Sequence, residues 1–152
     1  MSYWDDDGSP GKPWILVDLD RQAADFYRGE NQIGTAAISS GTEGRRTRAG
    51  DYTILEKTMD KHSTSYGHIE DASGRVINSD ATPKTTVPPG ARYVAAPMPY
   101  WMRLTWDGIG MHRGFLPGYP ASHGCIRMDR AVIAQFYNAA HVGMPVKVVG
   151  SP

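Results

Sequence analysis

The sequence predicts a mainly β fold, and three features predict it. Short runs with alternating apolar residues recur along the chain, glycine- and proline-rich turns separate them, and only one segment carries a helical period. A length of 152 residues with 40% hydrophobic content suits a single core. Residues 1–13, MSYWDDDGSPGKP, hold no apolar period and are set apart as a tail or linker, leaving residues 14–152 as one domain.

From Trp14 the elements follow in order. Ile15, Val17 and Leu19 alternate with Leu16, Asp18 and Asp20, the period of a half-buried strand. FYRGENQIG reads as a hairpin crossing into the next strand, and SSGTEGRRTRAG as a long turn-rich link into a third strand, DYTILEK. GHIED, GRVINS and YWMRLTWDGIGM supply further strands, divided by DASG and by TPKTTVPPG. Asp129 is placed to cap a helix carrying Val132, Ile133, Phe136, Tyr137 and Ala140 at helical spacing. Gly143 is its expected stop, which gives about 12 helical residues, with MPVKVVG as a closing strand.

The charges balance, 16 Lys and Arg against 16 Asp and Glu, so no overall field draws the chain to nucleic acid or an anionic membrane. The cluster Arg45, Arg46, Arg48 reads as a solvated turn. No run approaches the roughly 18 apolar residues of a membrane-spanning helix, and the first residues lack the apolar core of an export signal.

The single cysteine, Cys125, excludes an intramolecular disulfide and sits in the polar stretch SHGCIRM, beside Ser122, His123, Gly124 and Arg127. Structural cysteines keep apolar company; reactive ones occupy electropositive, partly exposed surroundings. The predicted helix start, a few residues on, adds a dipole favourable to a thiolate. A cysteine nucleophile needs a base, and there are five histidines. His62 and His68 read as loop or surface residues, and His141 as a cap on the helix end. His123, two positions from Cys125, points the same way if the segment is extended. His112, at the end of a strand, returns to the cysteine through RGFLPGYPAS and is able to face it across a cleft.

MHRGFLPGYPASHGCIRM resembles the signature of the L,D-transpeptidase catalytic domain, or YkuD domain, in which a histidine precedes Ser/Thr-His-Gly-Cys-x-Asn/Arg. ILVDLDRQAADFYRGENQIGTAAISSG is similar to the opening hairpin, TRAGDYTILEK to a Thr-Pro-x-Gly-x-Phe/Tyr segment and MPYWMRL to a Met-Pro-Tyr stretch, so the likeness runs from about Trp14 to Val149. Arg48 stands where proline is usual, Arg113 where glycine or serine is common, and the nine residues between His112 and Ser122 make a short loop.

The resemblance implies a β-sandwich or distorted barrel with one helix after the cysteine. It implies Cys125 as nucleophile, His112 as general base and the Arg113 carbonyl as the group orienting the imidazole. Backbone amides around His123, Gly124 and Cys125, with Ser122 alongside, are the expected oxyanion surroundings. Peptidoglycan tetrapeptide stems are the implied substrate, cut between the L-centre of the third-position diamino acid and the terminal D-Ala. The acyl group then passes to a stem amine, a lipoprotein lysine, a free D-amino acid or water.

Arg127 is expected either to bind a stem carboxylate or to pin its own loop to an internal one, and Tyr100 and Trp101 either to line the groove or to join the core. No cofactor or metal is implied, and the location implied is the periplasm or cell envelope. Two rival readings are a zinc hydrolase built on His112, His123 and Cys125, and a non-catalytic cell-wall binding module.

Overall fold

The computed structural model describes residues 1–151, and its fold is mainly β with one helix. The chain forms two compact units: Met1–Met59 together with Tyr100 onward, and Asp60–Pro99. The long strands β6 (Glu56–Glu70) and β8 (Arg92–Arg103) have residues in both.

The larger unit is an open mixed sheet. β2 (Pro13–Asp18), β3 (Ala23–Arg28) and β4 (Asn31–Ser39) form an antiparallel meander in which Ile15 faces Phe26 and Val17 faces Ala24. Gly29, with φ of 57°, opens the two-residue turn between β3 and β4, a conformation that suits a residue without a Cβ. β11 (Pro145–Val149) runs parallel to β2 and pairs with β5 (Gly50–Thr53) on its other side. Beyond β4 lie β10 (Ile126–Met128), β9 (Gly110–Arg113) and the end of β8; β10 is antiparallel to β4 and parallel to β9. The expected strand DYTILEK is two elements, because Ile54 and Leu55 leave β5 to hydrogen-bond with Met144 and Arg103 before β6 begins.

The core lies where this sheet meets α1 (Ile133–Ala139). Phe136 and Phe26 meet edge to face at 5.5 Å, and both touch Trp4, at 5.6 and 5.1 Å. Truncating a ring such as Phe136 to alanine would cost about 3–5 kcal/mol. Trp4 belongs to β1 (Tyr3–Trp4), a short strand on β4 within the segment set apart as a tail. Gly34 makes room for it, since a Cβ there would lie 2.6 Å from the indole.

The helix is shorter than its period suggested, 7 residues instead of about 12. Asp129 does cap a turn, its carboxylate accepting from Ala131 N–H at 2.9 Å, but regular helix begins only at Ile133. At the other end Ala140 is already extended, and His141 is exposed beyond it instead of capping the helix carbonyls.

In the smaller unit β6 pairs with β7 (Val76–Ala81) through a tight turn at Asp71–Gly74. His62 and His68 lie in β6 and not in a loop; His68 bonds Glu70 at 3.1 Å, and the Glu70 carboxylate also holds Arg92.

Candidate active site

Parallel pairing of β9 with β10 sets the geometry. Arg127 is opposite His112 and Ile126 opposite Met111, so alternation sends Met111, Ile126 and Met128 into the core. Gly110, His112 and Arg127 take the other face. Cys125 directly precedes β10 and His112 lies in the neighbouring β9, each about 5% exposed.

The imidazole is held in one tautomer. Nδ1 donates to the carbonyl of Arg113 at 2.7 Å, which leaves Nε2 as the basic nitrogen. Burial pushes the His112 pKa from 6.5 down to about 4; the hydrogen bond to Arg113 opposes this and the positive charge of Arg127 adds to it. The ring is therefore neutral at pH 7. Cys125 Sγ donates to the carbonyl of Gly108, at 3.3 Å, in the turn between β8 and β9.

The loop bearing the cysteine is fastened from two sides. Ser122 Oγ donates to the Cys125 carbonyl and accepts from Gly124 N–H at 3.1 Å. Thr47 Oγ1, 4% exposed, accepts from Gly41 N–H at 3.0 Å and donates to the Gly124 carbonyl at 2.7 Å. The Gly124 amide is thereby committed to Ser122. Gly124 has φ of 123°, so the segment is not extended and His123 does not follow Cys125 to the same face. His123 instead lines a groove of about 460 Å³ with Gly124, Ile109, Arg45, Arg46 and Arg48.

Other expectations change with the structure. Trp101 is fully buried, 6.1 Å from the His112 ring, and its indole N–H donates to Glu56, which also accepts from Arg103 Nε at 2.8 Å. Tyr100 packs on Tyr137 of α1 at 5.6 Å and is half-buried. Arg127 directs its guanidinium to the carbonyls of Phe115 and Ala121, at 3.3 and 3.5 Å, and among the described residues it pairs with no carboxylate. Its stem covers Gly114, where a Cβ would lie 2.8 Å from it. The dipole expected to aid Cys125 is not there either: β10 intervenes, and α1 starts at Ile133. Among the described residues no three His, Cys, Asp or Glu side chains converge as a metal-binding set, which removes the geometric basis for a zinc centre on His112, His123 and Cys125.

Sequence reasoning passed over Thr47, Glu56 and Gly108. Thr47 had a signal, being the one small polar residue within an arginine cluster; the other two are fixed only by long-range pairing.

A family model of the L,D-transpeptidase catalytic domain matches residues 12–148. The fold is similar to that of an L,D-transpeptidase from Mycobacterium smegmatis, with TM-score 0.67 and 19% identity over 91% of this chain and 59% of that one. A mutant L,D-transpeptidase of Enterococcus faecium gives TM-score 0.67 and 24% identity over 92% and 50%. The LD transpeptidase LdtMt1, solved in complex with imipenem, gives 0.68 and 19% over 90% and 58%. The chain thus spans between 50% and 59% of the length of these structures. No curated protein sequence matches it.

Proposed function

Since the chain belongs to the L,D-transpeptidase catalytic domain family, we propose that it is a cysteine acyltransferase acting on peptidoglycan tetrapeptide stems in the cell envelope. The observation that carries this reading is a buried His112 on β9, next to the strand that Cys125 directly precedes, with the His112 proton fixed on Nδ1 by Arg113 and Nε2 left to accept another.

Cys125 Sγ attacks the carbonyl of the third-position diamino acid while His112 Nε2 takes the thiol proton. Because His112 is neutral at pH 7, that proton moves during attack and not before it. The tetrahedral oxyanion is met by backbone amides at the loop, where losing one donor typically costs about 3 kcal/mol of barrier. Collapse breaks the C–N bond, and His112 returns the proton to the departing D-Ala amine. The thioester then passes to an amine, giving a 3-3 cross-link, or to water, giving L,D-carboxypeptidase activity. Arg127 serves here as a positioning residue, tying Phe115 and Ala121 of the loop that follows His112. A non-catalytic wall-binding role has no use for a buried, tautomer-fixed imidazole beside a thiol.

Incubation with purified disaccharide-tetrapeptide and mass spectrometry of the products tests this directly. Release of D-Ala with formation of tripeptide or cross-linked dimer is expected. An unchanged tetrapeptide, with no acyl adduct on Cys125, would overturn the reading.

A further inference from the structure

The arginines read from sequence as a solvated turn have a more specific setting. Thr47 is buried and bonded to the Gly124 carbonyl, so the loop is anchored one residue from Cys125, while Arg45, Arg46 and Arg48 on either side of the anchor remain exposed. All three line the 460 Å³ groove together with His123 and Gly124. Among the described residues none of the three makes an ion pair. The carboxylate nearest in sequence, Glu43, lines an adjoining recess with Thr42, Pro120 and Arg46; Arg46 borders both cavities and makes no ion pair with Glu43.

Three exposed arginines along one groove make it locally electropositive and suited to an anionic ligand, and the chain's net charge of zero makes this a local feature. The volume lies within the roughly 300–1,000 Å³ of small-ligand sites, enough for a short peptide and far too little for a duplex. Guanidinium pairs with carboxylate through two parallel hydrogen bonds, a match that a neutral amide cannot reproduce.

Building on the acyl-transfer reading, we propose that this groove selects the acyl donor by charge, its arginines holding ionised carboxylates of the stem peptide beside the scissile carbonyl. Donors with free carboxylates are then preferred to the same peptides with those groups amidated. This assigns to Arg45, Arg46 and Arg48 the recognition that the sequence offered to Arg127, whose guanidinium the structure directs to loop carbonyls.

The test compares tetrapeptide stems with free and with amidated carboxylates, on the wild type and on a variant carrying Arg45→Gln, Arg46→Gln and Arg48→Gln. The wild type should show a KM about tenfold lower for the free-carboxylate stem, a gap that narrows as salt is raised from about 0.02 to 0.3 M. In the triple variant the two KM values should converge through a rise for the free-carboxylate stem. Alkylation of Cys125 by iodoacetamide, a neutral reagent, should keep its wild-type rate and so show the site intact. Equal KM values for the two stems in the wild type would overturn charge selection and leave acyl transfer standing. Turnover of neither stem would overturn acyl transfer itself, and this inference with it.

Discussion

Trp101 and His112 face each other at 6.1 Å between ring centroids, and Trp101 has no exposed surface. The register explains the contact: Met102 pairs with Met111, so the residue before one and the residue after the other share the opposite face of β8 and β9. The indole is one wall of the apolar setting that keeps the imidazole neutral. Its own N–H is satisfied by Glu56, so the wall carries no unpaired polar atom toward the ring.

The first prediction concerns the acid limb of catalysis. A histidine with its ordinary pKa would lose activity below about pH 6.5. With burial holding His112 at about 4, kcat/KM for tetrapeptide acylation should persist through pH 5.5 and fall only near pH 4. His112→Ala should lower the acylation rate about 10²–10⁴-fold, with a smaller loss for His123→Ala. A wild-type limb centred on 6.5 would show that the imidazole is solvated, not buried.

The same burial links stability to pH. Unfolding releases His112 from a pKa of about 4 to its ordinary 6.5, so between those values the unfolded chain binds more protons. This contribution is complete above pH 6.5 and is lost as pH falls through about 4, a total of about 3 kcal/mol. Urea melts of wild type and His112→Gln at pH 7 and pH 4.5 should therefore show the wild type losing about 2–3 kcal/mol more than the variant. Equal losses would remove His112 as the source.

Much of this site was legible because it is local. SHGC with an upstream histidine pointed to Cys125 and His112, and the carbonyl of Arg113 is adjacent to the imidazole in sequence as in space. What escaped notice depends on pairing between distant segments. The strand alternation that buries Trp101 against His112 needs the β8–β9 register, and the Thr47 bond to Gly124 joins residues 77 apart. The helix was overextended because Val132 and Ala140 bury apolar side chains at helical spacing from non-helical backbone. β1 was missed because a two-residue strand has no period to read.

Removing the thiol should be decisive. The chain has one cysteine, so Cys125→Ala has no substitute nucleophile and should abolish both D-Ala release and covalent labelling by a carbapenem. The alanine fits the buried site, so the melting temperature should stay close to that of the wild type. Covalent labelling of the variant at the wild-type rate, read by intact-protein mass spectrometry, would show a different nucleophile.

Arg127→Lys tests the role of the loop tie. A guanidinium spans the carbonyls of Phe115 and Ala121, whereas a lysine ammonium reaches one of them as a point charge. Both contacts are long, so a loss of about 1 kcal/mol is expected, or some 2–4 °C in Tm for a chain of this size. Acylation by carbapenem and by free or amidated stems should fall together. A selective loss on the free-carboxylate stem would return carboxylate recognition to Arg127.

The last prediction isolates the anchor beneath the cysteine loop. Thr47 Oγ1 accepts from the Gly41 amide and donates to the Gly124 carbonyl, and the residue is 4% exposed. Valine has nearly the same shape but no hydroxyl, so Thr47→Val leaves a buried N–H and a buried carbonyl without that partner, at about 1–3 kcal/mol each. Stability alone does not identify a positioning role. The distinguishing readout is the rate of Cys125 acylation well below the melting temperature. That rate should drop at least tenfold in Thr47→Val, because the Gly124 carbonyl is released one residue from the nucleophile, and return in Thr47→Ser, which restores the hydroxyl. A Thr47→Val protein that melts earlier yet acylates at the wild-type rate would make Thr47 an ordinary core residue and place the control of the loop with Ser122.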